Sequence, residues 1–189
     1  MKLEITHKTN GVDTTRLKET VGAVKATPEL GRFKFQIENR WIDGGENRSE
    51  VTSFYGCGQD LSHEKGFTLA ADEPDILLGR DRGANPVEHL LHALASCVTT
   101  SMVYHAAARG IAIERVETSL EGDLDLQGFL GLDPSVRNGY QQIRLKQRIK
   151  GNITDEQLRE LSSLGPTFSP VFDSLKNGVP LSISTERMK

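Results

Sequence analysis

Asn85-Pro86-Val87-Glu88-His89-Leu90-Leu91-His92-Ala93-Leu94-Ala95-Ser96-Cys97 is the stretch on which the reading of this chain turns. Asparagine followed by proline marks a helix start. The amide side chain caps, and proline suits the first helical position, whose N–H has no partner within the helix. Between Glu88 and Arg109 there is no Lys, Arg, Asp or Glu, and Gly110 stands where a left-handed C-cap belongs. The pattern predicts a buried helix with one thiol, Cys97, on its wall. The uncharged run is about long enough to cross a bilayer. His89, His92 and His105, with hydroxyls at Ser96, Thr99, Thr100 and Ser101, make it a core helix instead.

Helix geometry defines the surroundings of the sulfur. At about 100° per residue, Leu90 and Tyr104 fall within roughly 20° of Cys97 and Ser101 within roughly 40°, with Leu94 close by. The thiol is therefore expected to face apolar side chains, a hydroxyl and a phenol. His92 lies about 140° away, and His89 and His105 lie about 12 Å along the axis. No residue of this helix pairs with Cys97 as a base, and the helix dipole has faded by mid-helix. The cysteine is either a small packing residue or a nucleophile activated by a cation from another segment. His89 and His92 supply half a metal site at most, without matching ligands elsewhere, so neither a metal nor a cofactor is expected.

Outward from the helix, residues 13–24 read as a short amphipathic helix capped by Asp13 or Thr14, with Leu17, Val21 and Val24 on one stripe. Phe33, Phe35 and Ile37 alternate along a strand from Arg32 to Trp41, and Asp43-Gly44-Gly45 is a turn. Further strands are expected around Val51–Tyr55 and Phe67–Ala70, then a loop from Asp72 to Ala84. Beyond the central helix, Val116, Thr118, Leu120, Gly122, Leu124 and Leu126 alternate over one long strand, and Ile143, Leu145 and Ile149 over another. Thr154 and Gln157 form a capping box for a helix that Pro166 is expected to break. Ser169-Pro170 opens a short helix ending near Gly178, and Val179, Leu181 and Ile183 read as a last strand. Helices and strands are segregated, which gives an α+β class with mostly antiparallel sheets.

The chain has 189 residues, enough for one ordinary domain with a core. Lys plus Arg number 23 and Asp plus Glu 26, a formal charge of −3, and no long basic run is present, so a nucleic-acid binder is not expected. The opening MKLEITHKTNG has no apolar stretch of a signal peptide. Two cysteines in that setting, Cys57 and Cys97, suggest a cytoplasmic protein with free thiols and no membrane partner.

The segment from Asn85 to Cys97 resembles the central motif of the OsmC/Ohr family, a Leu- and Ala-rich helix after Asn-Pro with a cysteine at this spacing. Three other pieces agree in order. Trp41, Gly44-Gly45 and Arg48 look like the family's early strand and turn with its arginine. Pro74 to Asn85 looks like the loop into the helix. Ser169-Pro170-Val171 with Leu175 looks like its late Cys-Pro helix start. The resemblance covers residues 32–189, with 1–31 as an N-terminal extension carrying the short helix. It implies an OsmC-like fold, antiparallel sheets wrapped around central helices in an intertwined homodimer. It implies thiol-dependent reduction of organic hydroperoxides in oxidative-stress defence, with an external thiol reductant, lipoyl-linked in the family. Cys97 would be the nucleophile and Arg48 the guanidinium that favours its thiolate, with Arg40, Arg80 and Arg82 as other arginines for that place. Leu94, Ser101, Tyr104 and Ser169 would line the binding site.

The chain departs from the family pattern twice. Serine stands at 169 where the second cysteine is expected, and Val87 stands where the peroxidases carry a carboxylate. Ser169 is suited to capping but cannot close a disulfide. Cys57, between Gly56 and Gly58, reads as a turn residue before it reads as a resolving thiol. Two functions follow. One is a one-cysteine peroxidase; the other is a non-peroxidatic OsmC-like protein that binds a small hydrophobic or thiol ligand in a dimer-interface pocket.

Overall fold

The computed structural model describes residues 7–188 and divides into two compact units that meet in sequence at His92 and Ala93. In the first unit a two-stranded hairpin, β1 (Lys8–Thr9) and β2 (Val12–Asp13), leads into α1 (Thr14–Ala26). Asp13 caps that helix by accepting the backbone N–H groups of Thr15 and Arg16, as its short carboxylate allows. Leu17 and Val24 are half-buried, whereas Val21 of the same stripe is exposed.

A sheet follows, built on β5 (Glu46–Gly56). β3 (Lys34–Phe35) and β4 (Glu38–Asp43) pair along one edge of β5, and β6 (Gln59–Ala71) pairs along the other, all antiparallel. The expected strand from Arg32 to Trp41 is thus broken in two, because residues 36 and 37 fall between the two pairing registers. Its apolar alternation does not face a core either. Phe33, Phe35 and Ile37 are exposed, and Phe33 and Phe35 stack on Phe54 of β5 in a surface aromatic row. Gly56 is buried beneath the Phe33 ring, where a Cβ has no room. Cys57 and Gly58 form the β5–β6 turn with left-handed φ values of 52° and 79°, as a two-residue hairpin turn demands.

α2 (Pro86–Ala108) runs from the first unit into the second. Its start is a reciprocal cap. Asn85 Oδ1 accepts the Val87 N–H at 2.8 Å, and the Glu88 carboxylate accepts the Asn85 N–H at 2.9 Å. Glu88 therefore serves the helix end. At the other end Gly110 has φ 71°, its N–H reaches the Ala107 carbonyl, and the Ile111 N–H reaches that of Ala106. This is a Schellman ending, with Ile111 buried against the helix it closes.

The second unit packs α2 against α4 (Asp155–Phe168) and a ribbon of β7 (Arg115–Asp123) with β8 (Gln142–Lys150). The core is Met102, Ala106, Ile111, Leu161 and Leu164, with Ile113, Val116, Ile149 and Ile153 against it. The ribbon alternates as a half-buried antiparallel pair should: Val116 faces Ile149 and Leu120 faces Leu145, while Glu121 and Asp123 hold Arg144 on the opposite face. β7 ends at Asp123, short of the expected Leu126. Asp125 caps a new short helix, α3 (Leu126–Phe129), so capping chemistry overrides the alternation. The Thr154–Gln157 capping box is present. Pro166 does not break α4, which continues to Phe168. The proline removes one backbone bond in the last turn, and the buried Leu161, Leu164 and Gly165 hold that turn against the core. Ser169 then caps α5 (Pro170–Asn177). The expected last strand does not form. Val179, Leu181 and Ile183 have no strand partner, and Leu181 and Ile183 are 88% and 93% exposed. Alternation alone makes no strand, since each strand needs another's edge.

Candidate functional site

Cys97 sits in the middle of α2, half-buried. The buried stripe of the helix is Leu94, Val98, Met102 and Ala106, spaced four apart, and Cys97 lies one position off it. The wall of the helix on which the thiol was expected is thus a half-open shoulder. The thiol is neither locked in the core nor fully in solvent, the setting in which a cysteine has both apolar neighbours and access for a reactant.

The end of α4 crosses α2 at this turn. Gly165 lies so close to Val98 that a Cβ there would stand 2.6 Å from Val98 Cγ1 and 2.9 Å from its carbonyl oxygen. Ser101, one turn beyond Cys97, donates its hydroxyl to the Phe168 carbonyl at 3.3 Å. Ser169 follows directly, 2% exposed, and its Oγ accepts the Phe172 N–H at 3.1 Å. Leu94, Cys97, Ser101 and Ser169 are therefore gathered around one helix crossing of the second unit. Tyr104 belongs to the same helix but is 50% exposed.

The next residue, His105, stacks on the Phe168 ring with centroids 3.7 Å apart. Burial, and secondly the Arg109 charge, push its pKa below the usual 6.5. The geometry agrees: Arg109 has only donors, so its N–H at 3.3 Å makes His105 Nδ1 an acceptor, which requires a neutral ring. The unfolded chain therefore takes up this proton before the folded one. The stability contributed is complete above pH 6.5 and is lost as pH falls through the lowered native value. A urea midpoint that drops between about pH 7 and about pH 5 is expected. His105→Phe, which still stacks but cannot titrate, should flatten that drop; an unchanged slope would refute the assignment.

Arg48 lies in the first unit, on β5. Its Nη2 donates to Glu46 Oε1 at 3.1 Å, and Arg82 Nη1, from the loop before α2, donates to Glu46 Oε2 at 3.2 Å. Glu46 is only 2% exposed. Arg40 stands directly across the β4–β5 ladder from Arg48, and Arg80 pairs with Asp43. A second buried carboxylate, Asp72, shapes the loop. Its Oδ1 accepts the Glu73 N–H at 2.8 Å, and its Oδ2 accepts those of Arg80 and Arg82 at 3.2 Å. Burial pushes the Asp72 carboxyl up, but the three N–H donors and the Arg80 charge outweigh it, and its pKa is lowered. The sequence reading did not single out Glu46 or Asp72. The signal was available for Glu46, which shares a strand face with Arg48 two residues away.

Among the described residues no group of three or more His, Cys, Asp or Glu side chains is placed to hold a metal ion. No helix there is long and apolar enough to cross a membrane.

The family model for OsmC-like protein matches residues 79–184, which include Arg82, Cys97 and Ser169. An OsmC-like protein from Mycoplasma pneumoniae has a similar structure, with a TM-score of 0.57 and 19% identity over 76% of this chain and 87% of that one. An organic hydroperoxide resistance protein OsmC from Legionella pneumophila is similar with a TM-score of 0.51 and 14% identity, over 76% of this chain and 91% of that one. An OsmC-like protein of unknown function from Vibrio cholerae gives 0.53 and 15%, over 75% and 92%. At these identities the likeness is one of fold. No curated protein matches the sequence. The family match spans more than half the chain and contains the Asn-Pro helix with its cysteine, and the protein belongs to the OsmC-like family.

Proposed function

We propose that this protein is a thiol-dependent peroxidase that reduces organic hydroperoxides through Cys97. The observation that carries the reading is the half-open position of Cys97 on α2, inside the family-matched region that also contains the buried Ser169. The thiolate attacks the O–O bond, the distal oxygen stays on sulfur as sulfenic acid, and the alkoxide leaves as an alcohol after taking a proton. One external thiol then condenses with the sulfenic acid, releasing water, and a second thiol resolves the mixed disulfide. A dithiol such as a lipoyl group supplies both. Arg48 is the guanidinium assigned to the thiolate and the departing oxygen, since a cation favours both anions.

Cys97→Ser should abolish the consumption of cumene hydroperoxide under excess dihydrolipoamide, a loss of about a hundredfold or more, since serine is a poor nucleophile near neutral pH. Equal rates in the two proteins would end this reading and favour the non-peroxidatic one, in which the same shoulder binds a small hydrophobic or thiol ligand.

A homodimer is the second part of the reading. Phe33, Phe35, Trp41, Leu181 and Ile183 are all exposed, more apolar surface than a solitary soluble chain usually shows. Light scattering should read twice the 20.9 kDa chain mass, and a monomer mass would remove this part.

A further inference from the structure

We propose that Ser101, His105 and Arg109 of α2 clamp the end of α4 through Phe168, and that protonation of His105 opens the clamp and frees the α4–α5 junction in acid. The inference stands within the second unit and does not depend on what Cys97 reacts with.

The three residues are spaced four apart and form one row along the helix. Each of them holds Phe168, the last residue of α4. Ser101 donates its hydroxyl to the Phe168 carbonyl at 3.3 Å. The His105 ring stacks on the Phe168 ring, with centroids 3.7 Å apart and 15° between the planes. The Arg109 guanidinium carbon stands 6.0 Å from the same centroid, and its Nε reaches Glu160 Oε1, earlier on α4, at 2.9 Å. Phe168 is 43% exposed, so this row, and not enclosure in the core, is what keeps it in place.

The chain beyond Phe168 is lightly held. Ser169 joins α4 to α5, and its Oγ and carbonyl oxygen accept the N–H groups of Phe172 and Asp173 at 3.1 and 3.0 Å. α5 has eight residues with none buried, and among the described residues no strand follows it. A helix so short has little stability of its own, so its place depends on where α4 ends.

The state of the clamp turns on one proton. Neutral His105 accepts an Arg109 N–H on Nδ1 at 3.3 Å, and Arg109 also donates to the His105 carbonyl at 3.0 Å. A protonated Nδ1 has no lone pair for that bond. It places an imidazolium beside a guanidinium over one ring, on a half-buried residue. Of the charged groups on the end of α4 and on α5, Glu160 is taken by Arg109, Asp173 accepts the Asn177 amide at 2.7 Å, and Lys176 lies over the Phe172 ring. Burial and the Arg109 charge, which keep the ring neutral, are the forces that drive it out once it is charged. Ser169, which the proposed function places in the binding site, lies in the junction that loosens.

The test is hydrogen exchange of single amides in the full chain at about pH 7.5 and about pH 5, corrected for the pH dependence of the exchange chemistry. Protection of the Ser169, Phe172 and Asp173 amides should fall about fivefold or more in acid, beyond any change in the β7–β8 ladder. His105→Phe, which still stacks but takes up no proton, should keep the junction protected at both values. A junction that holds in acid overturns the inference. So does a loss matched in the β7–β8 ladder, which is global unfolding, or a His105→Phe chain that loosens as the natural one does. Should His105→Phe fail to fold, Phe168→Leu decides. With no ring to clamp, its junction should exchange at about pH 7.5 as the natural chain does in acid, and a junction still protected there overturns the inference.

Discussion

A Ser169→Cys chain treated with one equivalent of cumene hydroperoxide is expected to form an internal disulfide with Cys97. The natural chain, with serine there, cannot form it from that position. The expectation comes from the crossing of α2 and α4. Gly165 touches Val98, and Ser101 reaches the Phe168 carbonyl, so position 169 follows the contact that frames the Cys97 turn. Once Cys97 is sulfenic, the new thiol attacks it, water leaves and the two sulfurs join. That closure needs the two α-carbons within roughly 4.4–6.8 Å of one another. The substitution removes the oxygen that caps α5, at a cost of about 1 kcal/mol, which an ordinary domain tolerates. Mass spectrometry should show the loss of two hydrogens, with Cys57 alone left to titrate. A chain in which Cys97 stays at the sulfenic acid, captured by dimedone, while the new thiol stays reduced would show that position 169 is out of reach. The one-cysteine cycle would then owe nothing to Ser169.

Leu161→Ala is expected to cost about 3 kcal/mol of folding stability. Leu161 is fully buried at the centre of the second unit's core, with Met102, Ala106, Ile111 and Leu164 around it. The cavity cannot close cheaply, because Gly165 already lies hard against Val98 and α4 has no room to settle closer. Against a total of about 5–15 kcal/mol this is a large share. The same packing holds the helix that carries Cys97, so peroxide turnover should fail at a lower temperature in the variant. The urea midpoint of the full chain gives the number. A shift worth less than about 1 kcal/mol would mean that the core is softer than its packing implies.

The site was legible in the sequence in proportion to how local its causes are. Asn85 and Pro86 announced the start of α2 and Gly110 its end, and both ends formed by the bonds those residues favour, while the reciprocal bond from Glu88 was not read from the sequence. Thr154 with Gln157, and Ser169 with Pro170, did the same for α4 and α5. The errors fell where the outcome depends on a distant partner. Val179, Leu181 and Ile183 alternate like a strand yet have no edge to join. Phe33, Phe35 and Ile37 alternate like an inward face yet lie outside. Leu126 carried the strand pattern too far, because the cap at Asp125 acts over two residues and the alternation carries no stop signal.

By itself, then, the order of residues determined the long helix, its caps and its single cysteine, since hydrogen bonds between near neighbours and a 3.6-residue period are settled within a few turns of chain. The resemblance built on that helix named the family. Only the tertiary structure decided which face of α2 is buried, leaving Cys97 on a half-open shoulder, because α4 chooses that face from beyond position 154. It alone decided that Glu46 serves both Arg48 and Arg82, because a buried charge takes its partners from whatever the fold brings within 3–4 Å, at any separation along the chain.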